Sequence, residues 1–259
     1  MKLDFWKYHG AGNDFIIIDN WEKSITLSND VIKNVCNRHF GIGSDGLILI
    51  QQHPTLDFEM IFYNPDASQS FCGNGSRCAV QFALDQKIIK KKNTRFLSTN
   101  GVYHAEEIEP NKIDLQMHDC GRFSIEEGRF FLDTGSPHLV FETSALYESP
   151  IIGRAKEIRY SEEYKEKGIN INFIEIINQT VHIRTYERGV ENETLSCGTG
   201  VTAVALSRAL AKNTHGFNKL HIETRGGRFY VQYHFDGDVF SQIHLIGPAK
   251  CIFKGEIYI

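Results

Sequence analysis

Long apolar runs are missing from this chain. The opening MKLDFWKYHGAGNDFIIID carries one short apolar stretch around Phe15–Ile18, with neither a signal-peptide core nor a cleavage site behind it. No later segment approaches the roughly 18 apolar residues of a spanning helix. A surplus of positive charge is missing too. Lys and Arg number 28 against 32 Asp and Glu, and their single run is Lys90–Lys92, a solvated loop, so no basic face is offered to nucleic acid. There is no His-Glu-x-x-His, no Cys-x-x-Cys pair and no obvious cofactor lysine, which removes the common signatures of zinc and pyridoxal chemistry. These absences predict a cytoplasmic protein with no membrane or nucleic-acid partner, whose 6 cysteines (36, 72, 78, 120, 197, 251) are thiols rather than a disulfide framework.

Present instead is one small device, twice. SFCGNGSRCAV and LSCGTGVTAVA both set a cysteine before Gly-x-Gly and a helix-forming run. The flanks repeat as well. RFLSTNGVYHAEEIEPNKIDLQMHD follows the first helix and KLHIETRGGRFYVQYHFDGDVFSQIHLIG the second, each reading strand, Gly turn, strand, turn, strand. Thr99 lies 27 positions after Cys72, and Thr224 lies 27 after Cys197. Upstream, GAGNDFIIID and DTGSPHLVF each carry a Gly turn into an apolar strand.

The pattern predicts a diverged duplication at 259 residues: domains 1–118 and 119–249, with Cys251–Ile259 a last strand packing back on the first. Strands are expected at Phe15–Asp19, Leu47–Gln51 and Phe58–Tyr63. Helices are expected over Asn29–His39, from Cys72 to about Gln86, and, exposed, within GRAKEIRYSEEYKEKG. GIGSDG fits G-x-G-x-x-G, but a helix precedes these glycines and a strand follows, the reverse of the dinucleotide-binding order.

A cysteine heading a helix sits where unpaired N–H groups and the positive end of the macrodipole favour an anion. Any single cytosolic cysteine is more often core, and Cys36, Cys78, Cys120 and Cys251 are taken that way. Cys72 and Cys197 differ because they occupy matching positions. Inverting a carbon that bears hydrogen needs a base on one face and an acid on the other, and two thiols serve both directions by exchanging protonation states. The adjoining helix N-termini supply donors for the enolate-like carboxylate that develops, so neither metal nor cofactor is called for.

KYHGAGNDFIIID, YNPDASQSFCGNGSRCAV, SPH, GININF and ERGVENETLSCGTGVTAVA, in this order over essentially the whole chain, resemble the diaminopimelate epimerase family. Either cysteine motif alone is shared with proline racemase-like enzymes. The resemblance implies an α/β fold of α+β type: two pseudo-symmetric domains, each a central helix wrapped by mostly antiparallel strands, with the substrate in the cleft. It implies a cofactor-independent isomerase interconverting LL- and meso-2,6-diaminopimelate for lysine and peptidoglycan precursors, commonly a homodimer. Carried over by position, Cys72 and Cys197 are the two bases. Asn13, Asn64, Gly73, Asn74, Asn170, Glu187, Arg188, Gly198 and Thr199 are substrate-binding, and His138, Ser136 and Gly46 complete the candidate set. By themselves, Asn13 and Asn64 would serve turns, Glu187 and Arg188 would form a solvated pair, and His138 would be an ordinary half-buried residue.

The chain departs from the family at Gly46, where Gln is usual, at Ser136, where Asn is usual, at Ala67, where Gly is usual, and between Arg188 and Cys197, one residue longer. Other readings are a racemase of the same build for another amino acid, a covalent cysteine enzyme assisted by His138, and a zinc-binding or redox thiol protein.

Overall fold

The computed structural model describes residues 1–259, which divide into two compact units: Met1–Leu115 with Gly247–Ile259, and Gln116–Ile246. In the first unit the order is β1 (Lys2–Gly10), β2 (Asn13–Asp19), α1 (Asn29–Cys36), β3 (Gly46–Gln51), β4 (Phe58–Tyr63), α2 (Gly73–Asp85), β5 (Asn93–Ser98), β6 (Gly101–Glu109) and β7 (Lys112–Gln116). The second unit has β8 (Phe123–Glu126), β9 (Arg129–Asp133), β10 (Pro137–Glu142), α3 (Ile151–Arg159), β11 (Asn170–Ile177), β12 (Thr180–Glu187), β13 (Asn192–Thr194), α4 (Gly198–Lys212), β14 (Gly216–Thr224), β15 (Gly227–Phe235) and β16 (Phe240–Pro248). The chain closes with β17 (Lys250–Tyr258).

Strand pairing repeats in sense as well as order. Beside β1 lie β17 and β2, both antiparallel; β2–β3 is parallel, β3–β4 antiparallel, β4–β5 parallel, and β5–β6–β7 antiparallel. Beside β9 lie β8 and β10, both antiparallel; β10–β11 is parallel, β11–β12 antiparallel, β12–β14 parallel, and β14–β15–β16 antiparallel. Each parallel step is made by a helical crossover: α1 and α2 in one unit, α3 and α4 in the other.

Helices α2 and α4 are built mostly of apolar and small residues and keep no wide solvent face, with Arg77 and Gln81 in α2 and Arg208 in α4 buried as well. Every residue from Gly73 to Ala83 and from Gly198 to Ala209 is buried. Helix α2 packs on β1, β2, β3, β4, β6 and β17, and α4 on β9, β10, β11, β12, β14 and β15. Truncating Phe82, fully buried in α2, to Ala is expected to cost about 3–5 kcal/mol. Helix α4 ends on Asn213 in the left-handed region (φ 48°, ψ 47°), an ordinary C-terminal device.

Helix α1 is shorter than the expected Asn29–His39. It stops at Cys36 because Asn37 turns extended (φ −68°, ψ 127°) and its side-chain oxygen accepts from the His39 and Phe40 N–H groups, closing a turn in place of another helical one. Strands β1, β8, β9, β11 and β13 were not expected. No helix is long and apolar enough to cross a membrane.

Candidate active site

Cys72 is the N-cap of α2, in extended backbone (φ −134°, ψ 107°), and its sulfur accepts from the Gly75 N–H at 3.3 Å. Toward β2, Cys72 Sγ lies 3.9 Å from Asn13 Oδ1. Asn13 Oδ1 also accepts from Asn74 Nδ2 at 3.1 Å, while Asn13 Nδ2 donates to Asp45 Oδ2 at 2.8 Å. Arg77, fully buried one turn into α2, donates to Asn74 Oδ1 at 2.6 Å and to the Gly73 carbonyl at 3.3 Å. Burial pulls the Arg77 guanidinium down to about 10, so it keeps its charge at neutral pH. Three of the residues expected from sequence, Asn13, Asn74 and Cys72, are thus in direct contact through their side chains.

Behind Asn13 lies a charged cluster that sequence reasoning missed. Lys7, inward on β1 despite its charge, pairs with Asp14 at 2.6 Å and also donates to the Gly43 carbonyl. Arg38 spans Asp14 at 2.7 Å and Asp45 at 2.8 Å. Burial works to raise the Asp14 carboxyl, but hydrogen bonds from Arg38 and Lys7 outweigh it and hold the group down at about 2.

Asn64 and Gly46 stand otherwise. The Asn64 amide donates to Ser68 Oγ at 3.0 Å and Ser70 Oγ at 3.1 Å within its own loop. At Gly46 a Cβ would come within 2.3 Å of the Phe62 ring, so Phe62 fills the space that any side chain at this position would need. Gly43 is needed for its backbone, at φ +78°.

Cys197 caps α4 with nearly the same backbone (φ −126°, ψ 115°), but its side chain makes no capping bond. Its sulfur lies 3.4 Å from Thr199 Oγ1, which is 2.9 Å from Nε2 of the fully buried His138. Asn172 Nδ2 donates to the Leu139 carbonyl at 2.9 Å and lies 3.1 Å from His138 Nδ1. Because that carbonyl can only accept, the amide nitrogen faces the ring, Nδ1 is the acceptor and Nε2 carries the proton toward Thr199. The Thr199 hydroxyl proton is then left for the Cys197 sulfur. Burial first, and the Arg188 charge second, push the imidazole down to about 3, so it is neutral.

A third group gathers nearby in the same unit. Asn170 Nδ2 donates to Ser136 Oγ at 2.8 Å and to the Pro137 carbonyl at 3.0 Å, and its Oδ1 accepts from the Arg188 N–H at 2.9 Å. The exposed Arg188 guanidinium donates to Ser136 Oγ at 3.2 Å and to the Lys167 carbonyl at 3.0 Å. Glu187 accepts from Thr194 Oγ1 at 2.9 Å, on the added strand β13 rather than on Arg188. The remaining cysteines behave as packing residues: burial pushes the Cys36, Cys78 and Cys251 thiols up, and Cys120 up to about 11.

The missed residues left faint signals. Asp45 lies inside GIGSDG, where the glycines drew attention and the acid did not; Asn172 lies in GININF, one alternation beyond Asn170.

The family model described as diaminopimelate epimerase matches residues 5–120 and 130–252. The diaminopimelate epimerase of Flavobacterium psychrophilum is 44% identical over 260 residues, covering 99% of this chain and 100% of that protein. That of Aquifex aeolicus is 35% identical over 98% of each. Among solved structures, a phenazine biosynthesis protein of the PhzF family from Bacillus anthracis superposes with a TM-score of 0.81 at 13% identity over 100% of both chains. A hydroxyproline epimerase from Agrobacterium vitis gives 0.73 at 12% identity over 99% of this chain and 92% of its own. These two share the fold, and the full-length relatives decide the rest: the chain belongs to the diaminopimelate epimerase family.

Proposed function

We propose that this chain is an isomerase that interconverts LL- and meso-2,6-diaminopimelate without a cofactor, using Cys72 and Cys197 as its acid–base pair. The observation that carries the reading is the repeated one: two parallel crossovers of matching strand order, each made by a helix headed by a cysteine and buried along all but its last residues. One sulfur, as thiolate, takes the α-proton; the C–H pair stays on the α-carbon and spreads into the carboxylate. The other thiol gives its proton to the opposite face and is left as thiolate, so each turnover exchanges the two protonation states. The α-proton is far less acidic than a thiol, so the barrier falls mainly through donors aimed at the carboxylate. Gly73, Asn74, Gly198 and Thr199, in the first turns of α2 and α4, are the residues for that role.

Arg188 takes the distal carboxylate, since its planar fork suits a bidentate carboxylate and Asn170 and Ser136 steady it. Asn13, Asn64 and Glu187 are the further substrate contacts. The same reading makes the product a precursor of lysine and peptidoglycan, the enzyme cytoplasmic, the working form a homodimer, and each unit one epimerase half.

The test is proton NMR of LL-diaminopimelate in D2O with reduced, metal-free protein. Loss of the α-hydrogen signal together with appearance of the meso form is expected. A second reading, a racemase of the same build for another amino acid, draws on Gly46, where Phe62 leaves no room for an amide side chain. Exchange with an amino acid lacking the second carboxylate, and none with diaminopimelate, would select it.

A further inference from the structure

The two ends of a carboxamide have nearly the same shape and opposite hydrogen-bonding sense, so the end of Asn13 that faces Cys72 decides what that sulfur meets. Two groups outside the amides make the choice. Asp45, ion-paired with Arg38 at 2.8 Å, is an acceptor, and it takes Asn13 Nδ2 at 2.8 Å on the same oxygen that takes the Asp14 N–H at 3.2 Å. Arg77 has only donors, and it takes Asn74 Oδ1 at 2.6 Å. Held at both ends, the row Asp45–Asn13–Asn74–Arg77 runs in one direction, and its single amide-to-amide bond has Asn74 Nδ2 donating to Asn13 Oδ1 at 3.1 Å.

We propose that Asp45 is a positioning residue: by fixing the Asn13 amide it turns a carbonyl oxygen, rather than an N–H, toward Cys72. An oxygen there accepts the S–H proton and keeps Cys72 protonated, ready to give that proton; an N–H there would stabilise the thiolate, lower the thiol's midpoint and leave less of the protonated form to act as the acid. This rests on the two-thiol reading above for its catalytic meaning, but the orientation itself does not. Among the groups that face Cys72 within its unit are Asn13, the Gly75 N–H, the buried Arg77 and the buried Cys78 thiol, with Lys7, Asp14, Arg38 and Asp45 behind Asn13.

The experiment follows the pH dependence of Cys72 alkylation by iodoacetamide, peptide by peptide, in the whole protein. Asp45→Ala frees the amide and is expected to move the Cys72 midpoint down by about one unit, a tenfold change in thiolate fraction on the acid side. It also lowers kcat/KM for α-hydrogen exchange by roughly 10- to 100-fold. Removing a negative charge would by itself move the midpoint the same way, so the pair is also made in an Asn13→Leu background. There the Asp45→Ala shift is expected to shrink to that charge effect alone; a shift as large as in the Asn13-containing protein, or a midpoint unmoved in the single variant, overturns the proposal. Should Asp45→Ala not fold, scalar coupling from the Asn13 side-chain nitrogen to the Asp45 carboxyl carbon across their hydrogen bond is expected in the wild-type protein, and its absence overturns the proposal as well. A wild type that shows the amide lock but exchanges no α-hydrogen upholds the orientation and removes the epimerase reading instead.

Discussion

Helices α2 and α4 present their cysteines from almost the same backbone, yet the two sulfurs meet opposite chemistry. Cys72 faces an amide oxygen on Asn13 and takes a cap bond from Gly75; Cys197 has no cap bond and faces the Thr199 hydroxyl, backed by a neutral imidazole. Repetition of the fold therefore sets where each sulfur stands, whereas the side chains around it set its behaviour as an acid. An inverting catalyst has to begin with one thiol charged and one protonated, and unequal surroundings favour one such arrangement over its mirror.

The strongest way to break this comparison is to delete each sulfur in turn. Cys72→Ala and Cys197→Ala are each expected to lower inversion by at least about 10²–10⁴-fold, the usual weight of a positioned acid or base, with circular dichroism unchanged. Full activity in either variant, measured as conversion of the LL to the meso form, would leave only one sulfur with a role.

A second measurement uses the buried imidazole, which only the Cys197 side possesses. His138 is held at about 3 in the folded protein against an ordinary 6.5. As pH falls from about 6.5 toward 3 the unfolded chain takes up this proton and the folded one does not, so stability falls as pH is lowered, by up to about 1.4 kcal/mol per pH unit. Asp14, in the other unit, acts with the same sign but lower: its ordinary value of 3.8 is depressed to about 2, and its contribution is lost only as pH falls through that range. Urea denaturation of His138→Leu at pH 7, 5.5 and 4.5 is expected to show a shallower slope than wild type. Equal slopes would mean that the imidazole is not held neutral.

The smallest effect separates the caps themselves. Serine is a good N-cap and alanine a poor one, so Cys72→Ser is expected to exceed Cys72→Ala in stability by about 1 kcal/mol. At position 197, where the side chain makes no cap bond, the Ser–Ala difference is expected to be smaller. Thermal melts of the four variants give the comparison, and equal differences at the two positions would erase this asymmetry.

Much of the frame was legible along the chain. The apolar runs at β2, β3 and β4, the Asn-Gly turn and the small-residued helices are local patterns, and they fold where they are read. Strand β1 was not legible although Leu3 and Phe5 alternate, because Lys7 takes an inward position where an apolar residue would have continued the pattern. Helix α1 ran too far in the reading because its stop depends on Asn37 bonding back to its own turn. The site divides the same way. Cys72, Asn74, Cys197 and Thr199 lie within short motifs, whereas Ser136, Asn170 and Arg188 meet only through the parallel register of β10 on β11 and the hairpin to β12.

The sequence by itself determined two cysteine-headed helices, the strand–turn–strand runs that follow them and the family to which the motifs point, because periodicity, turns and caps are written within a few residues. Only the tertiary structure decided that Asp45 reaches Asn13, that Asn172 sets the tautomer of His138, and that Phe62 fills the space beside Gly46. Those choices depend on which oxygen or nitrogen a crossover brings within hydrogen-bonding distance, and so on strand register rather than on residue type.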